Sequence, residues 1–388
     1  MRTTTKSTAA KPESSASRDS VNDIARGLSI LTILMVHCIV ILTHPGTGRP
    51  LDEPAFEVAR IISTFIMPAF YFISGLSALG LASRSMKKVT ISALRFLLLA
   101  WVTQLMAAPL LLVTHPELHG LGLLTKLARP FYEGKDFILV VTWFFVSMAG
   151  VQILAWLYLR KSLWFKLCVV AVCLGAYLIT ALTGKTVFMM HTWAIGLLFF
   201  MAGREYARRP AIDLKPLVAA FASVTGFGAL MLTYSLNRGC AFSPTQTCEF
   251  QGGYPRFFID VVNGQFGFVP YLVLSSVIGI IALMTLSMLL NRTALREPLA
   301  RIGRHTLVLL MINGVFVTLA PVLLKPIIPT LPDTWLLSIG FTAVQVAIYP
   351  FLSRPINNLL HMCTNWADSF MSVVVKTAPK PVQALLSK

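Results

Sequence analysis

Charge is scarce in this chain. Of its 388 residues 13% are Asp, Glu, Lys or Arg, and only 16 are acidic. A soluble domain of this length needs more charge than that to cover its surface, so a soluble globular fold is excluded. Cys and His at metal-ligand spacing are missing, as are a Gly-rich phosphate loop and a Gly-x-Ser-x-Gly elbow. Metal-centred, P-loop and nucleophile-elbow chemistry therefore find no sequence support. The two halves show no self-similarity of the kind found in transporters built from repeats. The first twenty residues are rich in Ser, Thr and Ala and lack an apolar core, which predicts a disordered tail rather than a cleaved signal.

What is present is apolar sequence. Hydrophobic residues make up 56% of the chain and the mean hydropathy is +0.72. Ten runs approach the length of a bilayer span, at roughly 24–44, 56–82, 89–113, 137–159, 163–182, 186–203, 214–236, 266–290, 306–324 and 334–353. The expected fold is all-α, a polytopic membrane protein of about ten transmembrane helices with both termini cytoplasmic. Residues 1–20 form the cytoplasmic tail, 21–355 the transmembrane domain, and 356–388 a cytoplasmic interfacial helix or tail.

Basic residues set the orientation, because Lys and Arg are retained on the cytoplasmic side of short loops. With the N-terminus inside, 22 of the 33 fall in inner segments, eight in outer loops, and Arg26, Arg60 and Arg95 within spans. The net charge of +17 thus reflects topology and contact with anionic lipid headgroups, not nucleic acid binding. Cys38, Cys168 and Cys173 lie in spans as small packing residues, and Cys363 faces the reducing cytoplasm. Cys240 and Cys248 share an outer loop, where a disulfide between them is expected to persist.

The first span, IARGLSILTILMVHCIVILTH, carries two ionisable residues and follows a third, Asp23. Eleven residues return a helix to within about 20° of its starting direction, so Arg26 and His37 share a face about 16 Å apart along the axis. Asp23 lies one turn before Arg26. Ionisable groups within a span are costly and face a protein interior or a wet cavity, which makes this row a candidate functional lining. Pro68, Ser74, Gly75 and Gly80 interrupt the second span, where small residues permit close approach and Pro frees a carbonyl. Arg95 stands one or two turns in from the basic loop that holds Arg84, Lys87 and Lys88, and His191 marks a second polar lining in the sixth span.

These residues carry a resemblance. Asp23-Ile24-Ala25-Arg26, ten intervening residues to His37, and Phe70-Tyr71-Phe72-Ile73-Ser74-Gly75 resemble the membrane acyltransferase-3 family of bacterial carbohydrate O-acyltransferases. Trp143-Phe144-Phe145 looks like its Trp-Phe-aromatic segment. Arg301 to Thr306 looks like the Gly-x-x-Ser turn that opens its late helix. Two positions depart from the pattern: Ser92 replaces the first of an arginine pair whose second member is Arg95, and Asn313 stands where many members have His.

The resemblance implies transfer of an acyl group, usually acetyl, from cytoplasmic acetyl-CoA or another acyl-CoA to a hydroxyl of a surface glycan or lipid-linked saccharide. It implies location in the bacterial inner membrane, among membrane lipids. A sugar hydroxyl needs a base of near-neutral pKa, which points to His37. Arg26, oriented by Asp23, is assigned to the anionic donor, with Arg95 and Lys88 along its entry path. The rival readings are a secondary transporter that uses the intramembrane Arg, His and Asp, and succinyl rather than acetyl transfer.

Overall fold

The structure is a computed structural model that describes residues 13–43, 52–134, 136–160, 162–183, 187–210, 212–237, 259–324, 333–377 and 379. It is helical almost throughout. In chain order the helices are α1 (Glu13–Thr43), α2 (Glu53–Ser63), α3 (Ile66–Leu76), α4 (Met86–Met106), α5 (Ala108–Thr114), α6 (Gly120–Tyr132) and α7 (Trp143–Arg160). They continue as α8 (Leu163–Thr183), α9 (Trp193–Arg208), α10 (Pro216–Thr233), α11 (Val269–Leu290), α12 (Arg296–Arg304), α13 (Thr306–Leu324) and α14 (Thr334–Thr377). Among the described residues, nine candidate spans are long and apolar enough to cross a bilayer. The sixth expected crossing is shorter: α9 has 16 residues and is preceded by a 3-10 turn at Met190–Thr192. Together they still reach about 30 Å, the thickness of the hydrocarbon core.

Local chemistry explains the helix ends. The Asp52 side chain accepts from Ala55 N at 3.2 Å and starts α2, and the Asp333 side chain accepts from Trp335 N and Leu336 N to start α14. Between α2 and α3 the chain breaks at Thr64–Phe65. Pro68 has no N–H to give to Thr64, four residues earlier, and the freed carbonyl instead accepts from Ser276 Oγ of α11 at 2.9 Å, fully enclosed. The second expected span is therefore two helices locked to a third.

Small residues set the closest crossings. A Cβ on Gly75 would stand 2.0 Å from Phe200 O, and one on Gly203 would stand 1.9 Å from Phe72 O, so α3 and α9 touch backbone to backbone. Beside this crossing, a row of hydroxyls joins α3, α7 and the 3-10 turn: Tyr71 Oη lies 2.6 Å from Ser147 Oγ, which lies 2.5 Å from Thr192 Oγ1. Thr192 donates to Met189 O at 2.7 Å.

Two expectations about the chain ends meet a different structure. Helix α1 already starts at Glu13, inside the segment expected to be a loose tail, because a helix that grows from a stable span needs no new nucleus. Residues 1–12 lie outside the described residues. Helix α14 does not stop near residue 353 but runs to Thr377 through Pro350 and Pro355. Its later part buries Cys363, Ala367 and Met371, a stripe at four-residue spacing, and α14 packs on α4. Packing of that stripe outweighs the two hydrogen bonds that the prolines remove. The loop with Cys240 and Cys248 lies outside the described residues.

Candidate active site

Where its apolar span Ser20–Thr43 begins, α1 holds an ionic cluster. Arg26 Nη1 donates to Asp23 Oδ1 at 3.0 Å, and its Nη2 donates to Ser77 Oγ at the end of α3. Arg304 of α12 approaches the other Asp23 oxygen at 3.7 Å and pairs with Glu297 at 2.7 Å. Asp23 thus lies between two guanidinium groups, Arg26 and Arg304. What brings Arg304 there is a glycine pair. Cβ atoms on Gly27 and Gly303 would stand 2.2 Å from Leu299 O and 1.8 Å from Asp23 O, so the α1–α12 crossing tolerates no side chain. The Arg26 side chain is 29% exposed and remains open to an anion.

His37, further along the same helix, is half-buried. Its Nδ1 lies 2.5 Å from Asn313 Oδ1, Asn313 Nδ2 donates to Gln345 Oε1 at 2.9 Å, and Gln345 Nε2 donates to Phe341 O at 3.3 Å and faces Cys38 Sγ at 3.6 Å. A carbonyl can only accept, so Phe341 fixes which end of the Gln345 amide is nitrogen. Gln345 then fixes Asn313, whose oxygen faces His37. The hydrogen of neutral His37 therefore sits on Nδ1, and Nε2 is left with its lone pair. That is the tautomer of a general base.

An acidic neighbour comes from a loop. Asp260 interacts electrostatically with His37 and belongs to the turn at 259–267, closed by a two-way backbone bridge to Gln265. Its Oδ1 accepts from Val262 N and Asn263 N, and its Oδ2 accepts from Asn263 Nδ2 at 2.7 Å. Burial raises the carboxyl above its ordinary range, against the pull of these hydrogen bonds and of His37. His191 holds this turn: its Nε2 faces the carbonyls of Val261 and Val262 at 3.2 and 3.1 Å and so donates to them. Expected as a polar lining, it is a fully buried clamp.

Beside the turn opens a cavity of about 540 Å³ whose wall is about evenly polar and apolar. Trp143, Asn263, Lys126, Arg129, Asp136 and Thr318 contribute to it. Thr318 stands five residues beyond Asn313 on α13, about 7.5 Å along the axis, so the cavity adjoins the His37 end of the bundle. An aromatic ring among convergent polar groups is a surface chemistry suited to a saccharide.

The remaining expected site residues stand apart. Lys88 is exposed in the first turn of α4, and the half-buried Arg95 lies with its guanidinium 5.2 Å from the centre of the Phe96 ring. Helix α4 packs on α7 and α14, whereas the Arg26 cluster is built from α1, α3 and α12. Ser92, in the place of the first arginine of the pair, donates to Gln152 of α7 at 2.9 Å, which replaces a charge by a helix–helix contact. Asn313, Gln345 and Asp260 were not singled out as partners of His37. Asn313 alone had left a trace in the sequence, as a departure from the His of many family members.

The fold and this ionised helix define a polytopic membrane protein with a polar interior. The acyltransferase-3 family model, described as an acyltransferase domain, matches residues 22–351, and the chain belongs to that family. No curated protein and no solved structure matches the chain. Membership makes the protein a membrane acyltransferase, which takes an acyl donor and an acceptor.

Proposed function

We propose that this protein transfers an acetyl group from cytoplasmic acetyl-CoA to a hydroxyl of an extracytoplasmic glycan in the bacterial inner membrane. The observation that carries the reading is the free Nε2 of His37, left bare by the fixed Asn313–Gln345 amide pair. The acceptor hydroxyl gives its proton to this nitrogen as its oxygen attacks the thioester carbonyl. The C–S bond then breaks, the ester forms, and the proton leaves His37 for the departing thiolate. The electrostatic influence of Asp260 on His37 favours the imidazolium that exists between these two steps. The cavity beside Asn263 and Trp143 is assigned to the acceptor.

Arg26, held by Asp23, is assigned to the phosphates of the donor, with Lys88 and Arg95 along the entry path. Arg26 lies about 16 Å along α1 from His37, so the two cannot serve one atom. A thin pantetheine arm joins them: its phosphate end rests at the cluster and its thioester reaches the imidazole.

The test is transfer from labelled acetyl-CoA to candidate surface glycans by purified protein. His37→Ala is expected to lower transfer about 10²- to 10⁴-fold with folding and donor binding intact. Arg26→Ala is expected to raise the KM for the donor. Full activity in both variants rejects these roles.

A further inference from the structure

A second cavity, of about 1120 Å³, lies between α7, α8, α9 and the start of α11, away from the His37 site. Its wall is mostly apolar and runs along α9 from Ile195 to Arg208, about 20 Å, longer than one bilayer leaflet of about 15 Å. On one side it is bounded by α8, a helix long and apolar enough to cross a bilayer, whose Leu167, Val170 and Leu174 are exposed. One end of it is basic. Lys166, Arg204 and Arg208 meet there with Glu205 as the acidic member, which leaves an excess of two positive charges.

Arg204 is the unusual member. It is 7% exposed, and only its Nη1 is paired with Glu205, at 2.6 Å; its Nε, fully enclosed, has no hydrogen-bond partner. An enclosed guanidinium donor without an acceptor is costly. Lys166 is half-buried, with its ammonium 5.5 Å from the centre of the Tyr158 ring. We propose that this fissure is a binding site for one anionic glycerophospholipid. The headgroup phosphate accepts from Arg204, with Lys166 and Arg208 around it, and one acyl chain lies along α8 and α9. Neutralised cations and a long apolar slot open to the bilayer fit that ligand together; a soluble anion would leave the slot empty.

The probe is phosphatidylglycerol, compared with phosphatidylcholine of identical chains, added to full-length protein in mild detergent and read by native mass spectrometry. We expect one retained phosphatidylglycerol per chain and about tenfold weaker retention of phosphatidylcholine, the ratio set by a charge-assisted contact. Arg204→Gln is expected to abolish the preference. Because Arg204 is enclosed and its loss can unfold the protein, the two more accessible cations are also changed: Lys166→Gln with Arg208→Gln is expected to reduce the preference severalfold. Ala202→Trp, which fills the slot and keeps the charges, is expected to reduce retention of both lipids. Arg354→Gln, outside the fissure, serves as a control with no effect. Equal retention of the two lipids, or retention unchanged in the double variant and in Ala202→Trp, overturns the proposal. Stoichiometric displacement of the lipid by free coenzyme A also overturns it, since the fissure would then belong to the donor.

Discussion

Gly303 meets the backbone of Asp23 so closely that a Cβ would stand 1.8 Å from the Asp23 carbonyl oxygen. This contact seats α12 against α1 and carries the neighbouring Arg304 to the Asp23 carboxylate. Gly303→Ala is expected to push the helices apart, destabilise the protein by about 1–3 kcal/mol and loosen Arg26. Thermal unfolding and the KM for the acyl donor read the two effects; a parent-like melting temperature would contradict the close crossing.

Asn313→Leu removes the acceptor for His37 Nδ1–H and frees the imidazole to change tautomer. Its kcat is expected to drop at least about tenfold with little change in donor KM. Asn313→Asp keeps an accepting oxygen and is expected to retain more activity than the Leu variant. If the two variants are equally impaired, the amide chain does not orient the base.

The raised carboxyl of Asp260 gives stability a pH dependence of defined sign. The folded chain holds this proton to higher pH than the unfolded chain, so the native state binds more protons across that window. The Asp260 contribution is therefore fully present below the ordinary carboxylate range and is lost as pH rises through the raised folded value. Melting temperatures measured across this range are expected to decline less with pH in Asp260→Asn than in the parent. An identical slope would show that the group titrates normally.

His191 donates to two carbonyls of the turn that bears Asp260. His191→Phe keeps a ring of similar bulk but no donor, and is expected to raise hydrogen exchange at 259–267 and to lower transfer with the donor KM unchanged. Protection of that turn equal to the parent's would remove His191 from the role of clamp.

Much of the bundle was legible because bilayer spans announce themselves by length: α13, Thr306–Leu324, coincides with its expected run. Asp23, Arg26 and His37 were legible for a related reason, since a charge inside an apolar helix stands out and 3.6-residue periodicity gives its face. The partners of His37 follow no such rule. Asn313 and Gln345 are single amides in two other spans, 276 and 32 residues from the side chains they join, and periodicity says nothing about which helices meet. Asp260 sits in a short turn where neither hydropathy nor spacing marks it. Helix α12 escaped because REPLARIGR is too short and too polar to read as a span, and its place against α1 depends on Gly27 and Gly303 rather than on apolar pattern.

The row of hydroxyls from Tyr71 through Ser147 to Thr192 has a direction, since each oxygen owns a single hydrogen and the last one is committed to the Met189 peptide oxygen. Tyr71 must give to Ser147, and Ser147 to Thr192. The terminal amide oxygen is far too weak a base to accept a migrating proton, so the row is a blind alley for conduction. For an enzyme embedded in a bilayer the consequence is electrical: this buried polar row offers no relay for protons between the helices it joins.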